Sequence, residues 1–451
     1  MSERSIGVTL LGCGVVGGGV LNILTQQRDL LRQRTGLTFD IRHVVVRDPD
    51  KHGATTGGTL PLTTNAEAAI DDPKTQIVIE LIGGTGAAST YIERALKSGK
   101  PVVTANKSLL SARGGELFAL ARKHDTCIAF EASCGGGVPI VESLMKGLLA
   151  NRIDALVGIV NGTCNVILTR MTRNGWSYDE ALKEAQRLGF AEADPTLDVS
   201  GRDAAQKLAL LASLAFNVGI LEKDIHVEGI DTIQPTDIQF ARDLGYVIKL
   251  LAIAERITEK NRDGSYLSPD SICLRVHPTL VHKDDVLAEV GGSFNAISVY
   301  GHALGHALFY GRGAGQMPTA SAVVSDLLGV ALGTTPLAFK QLRIFPDTTP
   351  RAAVLPFHEL QSRYYLRLMV KDQPGVMGQV SQILGDNGIS LSAILQRETD
   401  DGQTVPIVIT THRATEGPMR KALDQINALS TIAPPAVCLR IIDQPKEFAV
   451  A

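Results

Sequence analysis

The sequence predicts an α/β chain in three parts: an open parallel sheet at the N-terminus, an α+β domain in the middle, and a small ferredoxin-like domain at the C-terminus. Three observations carry this. Short apolar runs alternate with helical patterns through the first part of the chain, the signature of βαβ units. Beyond about residue 150 that pattern changes, and the strands and helices there suggest a mixed sheet with helices on one side. After a proline- and turn-rich stretch, residues 364–442 read β-α-β-β-α-β, the ferredoxin-like order.

Taken in order, residues 5–15 (SIGVTLLGCGV) are an apolar run ending in glycines, a buried parallel strand. A helix follows over 16–31, then strands over 40–46 (DIRHVVV) and 76–81 (QIVIEL). A helix over 87–98 leads to a strand over 101–104, and a helix over 117–123 leads to a strand over 127–131. In the middle part a strand covers 153–161, helices cover 178–188 and 201–216, and strands lie around 271–276 and 297–300. This reads as a mixed sheet with helices on one side. From about 333 to 359 the composition is that of a linker, with Pro336, Pro346, Pro350 and Pro356. The tail then gives a strand at 364–370, a helix at 378–387, strands at 390–396 and 405–411, a helix at 418–428 and a strand at 436–442.

Composition bounds what such a chain does. Its 451 residues suit about three domains and bury sizeable cores without disulfide staples. Lys and Arg total 44 against 47 Asp and Glu, a net charge of −3 that gives no reason to expect nucleic acid. A 44% hydrophobic and 20% charged composition excludes a mainly disordered chain. Cys13, Cys127, Cys134, Cys164, Cys273 and Cys438 form no CxxC pair and no zinc spacing with histidine, so they read as small buried hydrophobes. The start runs straight into an apolar strand rather than a signal peptide. Residues 291–311 lack Asp, Glu, Lys and Arg but carry Ser293, Asn295, His302, His306 and five glycines, a poor membrane span. A cytoplasmic protein with no nucleic-acid and no membrane partner is expected.

Gly12-Cys13-Gly14-Val15-Val16-Gly17 fits GxGxxG after a strand and before a helix. The first glycine makes the tight turn, the second admits a pyrophosphate to the backbone, and the third lets helix and strand pack closely. In this βαβ context the motif makes the N-terminal part a Rossmann-like dinucleotide-binding domain. After the second strand come Arg47, Asp48, Pro49, Asp50 and Lys51. An acid there holds the ribose 2′-hydroxyl of NAD, and an arginine accommodates the 2′-phosphate of NADP. Arg47 is nearer the strand end and Lys51 adds a second cation, so NADP is favoured over NAD; the plain alternative is a solvated turn. The Ile82–Gly86 loop lies where the nicotinamide half would sit, or is a simple βα turn.

Three segments place polar residues in apolar surroundings. Lys107 follows the strand that ends at Thr104 and could reach cofactor or substrate, although a loop lysine is more often solvated. Glu131, Cys134, Gly135, Gly136, Gly137 and Val138 offer a carboxylate beside exposed carbonyls, a candidate oxygen-rich cation site; Cys134 as a thiolate nucleophile and a flexible crossover are the alternatives. The third runs from Gly189 through Glu192, Asp194 and Asp198 into a helix bearing Asp203 and Lys207, one turn apart. That helix is apolar nearly all round after its first turn, so Lys207 sits partly desolvated, with a pKa expected to fall toward a value useful in proton transfer. An exposed ion pair worth a few tenths of a kcal/mol is the alternative.

These residues together resemble homoserine dehydrogenase. The resemblance rests on the N-terminal GxGxxGGG, TANK at 104–107, EASxGGGxP at 131–139, NGTxN at 161–165, GxxExDPxxDxxGxDAAxK at 189–207, and Gly313 to Ala322, which is similar to the family's segment returning to the nucleotide domain. The tail, with Val370-Lys371-Asp372-Gln373-Pro374-Gly375-Val376 and Gly388-Ile389-Ser390-Leu391, is similar to an ACT domain. The division implied is residues 1–134 as the nucleotide domain, rejoined by about 308–335; 135–307 as the substrate and dimerisation domain; 336–362 as a linker; and 363–451 as the ACT domain.

The resemblance implies reversible NAD(P)-dependent interconversion of L-homoserine and L-aspartate 4-semialdehyde, within threonine, methionine and isoleucine biosynthesis. It implies Lys207 as the general acid/base and Lys107 as a second active-site lysine beside the nicotinamide. Glu192 and Asp203 would hold the substrate amino group, with Asp198 beside them. Gly12, Gly14, Val15, Val16 and Gly17 would cradle the cofactor, with Arg47, Lys107, Gly189 and Gly315 completing its site. Glu131, with the carbonyls of Cys134, Gly136 and Val138, matches a monovalent cation site for sodium or potassium; a small apolar residue is expected where Cys134 stands. Asp372, Gly375, Asn387 and Ile389 would form an effector site for L-threonine, and a homo-oligomer, dimer or tetramer, is expected. Two rivals stand against this: a thiol-dependent aldehyde dehydrogenase acting through Cys134, with His124 the nearest histidine in sequence, and a non-catalytic amino-acid sensor.

Overall fold

The computed structural model describes residues 4–50, 60–257, 271–396 and 404–443; Lys51 lies outside them. Strand β1 (Arg4–Leu11) is buried from Ile6 onward, as a central parallel strand flanked by helices must be. Helices α1 (Val15–Gln26) and α2 (Arg28–Thr35) replace the single helix expected over 16–31. The break falls at Gln27, where the apolar stripe of α1 runs out and α2 buries no residue. Then come β2 (Leu37–Val45), β3 (Leu62–Thr63), α3 (Ala66–Asp71), β4 (Ile77–Glu80), α4 (Ala87–Lys97), β5 (Val102–Thr104), α5 (Lys107–Lys123) and β6 (Ile128–Ala129). They form a parallel sheet in the order β3-β2-β1-β4-β5-β6, the doubly wound order whose direction reverses between β1 and β4. The strand expected over 127–131 is shorter, and Glu131–Ser133 is a 3₁₀ turn.

The middle of the chain gives α6 (Ile140–Glu142), β7 (Ile153–Ile159), α7 (Gly162–Asn174) and α8 (Tyr178–Arg187). Helix α8 starts in a capping box between Ser177 and Glu180. After them come α9 (Thr196–Val199), α10 (Arg202–Phe216), β8 (His226–Val227), α11 (Pro235–Asp243), β9 (Tyr246–Arg256) and β10 (Ser271–His282). Strands β9 and β10 pair antiparallel along their length, from Tyr246 opposite His282 to Arg256 opposite Ile272. An antiparallel hairpin of β11 (Phe294–Gly301) and β12 (Gly305–Arg312) precedes α12 (Gln316–Leu332). The proline-rich stretch is more ordered than a linker: it carries α13 (Thr334–Gln341), β13 (Ala353–Val354) and a 3₁₀ turn at Phe357–Glu359. Pro336 is accommodated in the first turn of α13, where its missing N–H costs no hydrogen bond.

The tail is β14 (Gln361–Val370), α14 (Val376–Asp386), β15 (Leu391–Gln396), β16 (Val405–Thr411), β17 (Ala414–Thr415), α15 (Glu416–Asn427) and β18 (Ile432–Ile441). Its strands run β18-β14-β16-β15, antiparallel, over a core that includes Leu366, Leu368, Val380, Leu384, Ile407, Met419 and Ile426. This is the ferredoxin-like unit expected.

The chain divides into two compact units that do not follow its order. One takes Met1–Leu156, Ala205–Ile225 and Phe294–Ala352; the other takes Val157–Ala204, His226–Ser293 and Ala353–Ala451. No single helix among the described residues is long and apolar enough to cross a membrane.

Candidate active site

In the first unit, the glycine turn sits at the carboxyl end of β1, at the switch point of the sheet. Gly12 has φ +98°, and a side chain on Gly17 would lie 2.4 Å from the Gly12 carbonyl oxygen, so the turn closes only with glycine at both. A side chain on Gly14 would meet nothing within 4 Å, Val15 is exposed, and Val16 is half-buried. Gly14 caps α1 with no side-chain hydrogen bond, and the first turn holds no acid. The free N–H groups of a first helical turn and the positive end of its dipole, beside the open space at Gly14, are an arrangement that takes a phosphate. The residues therefore fit a dinucleotide. Arg47 is exposed, two residues beyond β2.

The loop after β4 is tied down by a residue that the sequence reading passed over. Glu80, fully buried, accepts the backbone N–H groups of Ile82 at 2.8 Å and Gly83 at 2.9 Å, and the Thr104 hydroxyl at 2.6 Å. Asn106 donates to the Gly84 carbonyl at 2.7 Å and caps α5 by accepting from Leu109. Lys107 is thus the first residue of a helix rather than a loop lysine. A cation gains nothing from the dipole at that end, so stability does not explain it.

Lys207 is half-buried on α10, whose buried residues include Ala204, Ala205, Leu208, Leu211 and Ala212. The turns carrying the two lysines are joined: Ser108 Oγ donates to Gln206 Oε1 at 2.9 Å. Cys134, fully buried, directs its Sγ at the Lys207 carbonyl 4.0 Å away. Neither Ser108 nor Gln206 stood out in the sequence, because polar residues beside lysines carry no spacing signal.

The 131–138 turn lies in the same unit. Glu131 is buried and accepts the N–H groups of Val141 at 2.9 Å and Glu142 at 2.6 Å, while its own N–H donates to Asp326 at 2.8 Å. Burial pushes the Glu131 carboxyl up to about 7 against the pull of those amides, and burial likewise raises Asp326 well above the carboxylate range. Gly136 has φ +55°, and a side chain there would lie 2.5 Å from the Gly313 carbonyl oxygen, next to the segment bearing Gly315. Val138 is buried, and its carbonyl accepts from Ile140 at 2.8 Å. Gly315, at φ +120°, precedes α12.

In the second unit, Asn161 gathers the acidic residues. Its amide nitrogen donates to Asp198 at 2.7 Å and Asp203 at 2.8 Å, while its oxygen caps α7 by accepting from Cys164 at 2.8 Å. Asp203 is buried and Asp198 half-buried. Glu192 is exposed, its carbonyl accepting from Gln186 at 3.1 Å; Gly189 is exposed at φ +75° just past α8. The Asn-Gly-Thr start of α7 held the signal for Asn161, since asparagine before a helical run is a cap. In the tail, Asp372 and Gly375 are exposed before α14, Asn387 donates to Ile383 and Gln425 at 2.8 Å each, and the Ile389 side chain is in the core.

A phosphate-ready helix end at the switch point of a parallel sheet, with lysines on joined turns of the same unit, defines an NAD(P)-dependent oxidoreductase, here carrying a ferredoxin-like tail. Comparison with known proteins names the family. Residues 12–131 match the model described as "Homoserine dehydrogenase, NAD binding domain", 139–328 match "Homoserine dehydrogenase", and 364–431 match "ACT domain". The homoserine dehydrogenase of Pseudomonas aeruginosa is 39% identical over 447 residues, covering 97% of this chain and 99% of that one. That of Bacillus subtilis is 40% identical over 438 residues, covering 95% and 96%. The crystal structure of a homoserine dehydrogenase from Thiobacillus denitrificans superposes with a TM-score of 0.90 at 41% identity, covering 98% of this chain and 99% of that one. The S. aureus enzyme gives 0.73 at 32%, with the same coverage. The chain belongs to the homoserine dehydrogenase family, oxidoreductases acting on a CH–OH group, and carries an ACT domain.

Proposed function

We propose that the enzyme interconverts L-homoserine and L-aspartate 4-semialdehyde reversibly, with NADP preferred over NAD, in threonine, methionine and isoleucine biosynthesis in the cytoplasm. When bound, NAD(P) would supply the acceptor or donor of the hydride exchanged with the alcohol carbon. Lys207 takes the hydroxyl proton on oxidation and returns it on reduction, and Lys107 steadies the developing charge on the oxygen. Glu192 and Asp203 hold the substrate ammonium, with Asp198 beside them. Gly12, Gly14, Val15, Val16 and Gly17 hold the pyrophosphate, Arg47 the 2′-phosphate, and Gly189 and Gly315 line the remainder. The observation that carries this reading is the Ser108–Gln206 hydrogen bond, which fixes two lysine-bearing turns from distant parts of the chain side by side.

Glu131, with the carbonyls of Cys134, Gly136 and Val138, holds a monovalent cation, sodium or potassium. An all-oxygen donor set suits such an ion, and a carboxyl that burial raises to about 7 gains from a positive neighbour. The division of labour is residues 1–134 with about 308–335 for the cofactor, 135–307 for substrate and dimerisation, 336–362 as connection, and 363–451 for regulation by L-threonine in a homo-oligomer, dimer or tetramer. The effector site is built on Asp372, Gly375, Asn387 and Ile389.

The test is initial rates with L-homoserine and NADP or NAD, with and without threonine, in monovalent salt. Lys207→Ala should cut kcat by about 10²- to 10⁴-fold with the cofactor still bound. Retained turnover in that variant removes Lys207 as acid/base. Cys134→Ala should leave turnover nearly intact; its loss would favour a thiol-dependent aldehyde dehydrogenase.

A further inference from the structure

The tail is bonded to the rest of the second unit by buried charges that substrate and cofactor chemistry do not use. Glu228 follows β8. Its carboxylate accepts from Arg440, from Arg420 and from His226, the last at 3.0 Å. Arg440 lies on β18 with 2% of its side chain exposed and also pairs with the buried Glu416. Burial works to raise the Glu228 carboxyl, but His226 and Arg440 outweigh it and hold the group far below the usual range. Nine residues on, Asp237 of α11 is fully buried and takes Arg367 at 2.6 and 3.1 Å and the Tyr365 hydroxyl at 3.1 Å, both from β14. The segment 228–237 is therefore a strap, pinned at each end by arginines of the tail.

The middle of the strap rests on the residues that present Asp198 and Asp203. Ile230 N–H donates to the Val199 carbonyl at 3.0 Å. A side chain on Gly229 would lie 2.6 Å from that carbonyl oxygen and 3.0 Å from Ser200 Cα. One on Gly201 would meet Val227 at 3.0 Å and the Glu228 carbonyl oxygen at 3.2 Å. Val199 and Gly201 flank the turn between α9 and α10, one residue from Asp198 and two from Asp203. The Asp198 carbonyl is itself held by Gly201 N–H at 3.0 Å and Cys164 Sγ at 3.2 Å. No slack separates strap and turn, so a displaced strap moves the turn.

We propose that Glu228 is a positioning residue: held by Arg440 and Arg420 of the tail, it sets through Gly229 and Ile230 the placement of Asp198 and Asp203, and this is the route by which the state of the tail reaches the substrate carboxylates. The inference rests on the reading that those carboxylates hold the homoserine ammonium. It predicts regulation expressed in homoserine affinity rather than in cofactor affinity.

The experiment compares wild type, Glu228→Gln and Gly229→Ala in the full-length enzyme. It reads the KM for homoserine, the KM for NADP, and amide hydrogen exchange over residues 196–203 and at Ile230. Gly229→Ala pushes on Val199 directly and removes no ion-pair partner, so it decides the matter if Glu228→Gln does not fold. Both variants should raise the KM for homoserine by about 3- to 30-fold and speed exchange over 196–203, with the KM for NADP unchanged. An unchanged homoserine KM in Gly229→Ala, or equal changes in both KM values, overturns the proposal. Absence of homoserine oxidation in wild type would instead overturn the substrate reading, while hydrogen exchange would still show whether strap and turn are coupled.

Discussion

Replacing Asn161 by serine should weaken the hold on substrate while sparing the helix that Asn161 starts. One amide nitrogen donates to Asp198 at 2.7 Å and to Asp203 at 2.8 Å, so the two acceptor oxygens are at most 5.5 Å apart. At an effective dielectric of about 20, two such charges repel by about 3 kcal/mol or more. The N–H groups of Asn161 offset that repulsion, and their two charge-assisted hydrogen bonds are each worth roughly 1.5–3 kcal/mol. Serine keeps the capping oxygen that receives Cys164 N–H but cannot donate to both carboxylates. One carboxylate must then turn away from the other, and the ammonium loses part of its counter-charge. The expected result is a rise of about 10- to 100-fold in the KM for homoserine, with the KM for NADP little changed and the melting temperature lowered by the two lost hydrogen bonds, measured by initial rates at the nicotinamide absorbance band and by thermal unfolding. A homoserine KM equal to that of wild type in a folded Asn161→Ser protein would refute the reasoning.

Gly17→Ala should raise the cofactor KM by about ten-fold or more without altering saturation by homoserine, since its side chain would strike the Gly12 carbonyl oxygen 2.4 Å away. Arg47→Ala should raise the KM for NADP by about ten-fold and leave NAD kinetics as they are; an unchanged NADP to NAD ratio removes Arg47 as selector. Asp237→Ala leaves Arg367 buried without its partner and should cost about 3–5 kcal/mol in denaturant unfolding, much of it recovered in an Asp237→Leu, Arg367→Met double variant. Lys249 is buried with its ammonium on the Val290 carbonyl at 2.7 Å, and burial first, then Arg173, pushes its pKa down to about 8 from 10.5. Between those values the unfolded chain binds more protons, so stability should rise with pH by about 3 kcal/mol in wild type relative to Lys249→Met. A parallel pH dependence in the two proteins would contradict this.

What the sequence disclosed follows from where its signals are local. The strands of the first part and of the βαββαβ tail were legible because burial on both faces writes a short, largely apolar run into the chain, as in Ile77–Glu80 and Val405–Thr411. GxGxxG was legible because its glycines are required by φ and by close approach. Other features depend on partners far away in sequence. Lys107 reads as a loop residue in sequence, whereas the Asn106 side chain caps a helix that begins at Lys107. The proline-rich stretch looked like a linker because its packing partner Phe118, against which Phe339 and Phe345 pack, is distant in the chain. Glu80, Asn161 and Gln206 act by holding other groups, and a holding residue shows only when its partner is in place. The buried arginines of the tail were invisible for the same reason.

The packing of α1 against α12 bears on how this enzyme is made. A side chain on Gly19 would lie 2.9 Å from Ala320 Cβ, so the first helix of the nucleotide sheet is fitted closely to a helix that begins roughly 290 residues later. At about 5–20 residues per second, a ribosome needs roughly 15–60 s to span that interval. Throughout it Gly18 and Gly19 face a surface, at Gln316 and Ala320, that has not yet been synthesised. The cofactor sheet can therefore be threaded early but sealed only late, so the oldest part of the chain is the last to be covered. Fragments ending before residue 333 should accordingly precipitate, however complete their glycine turn.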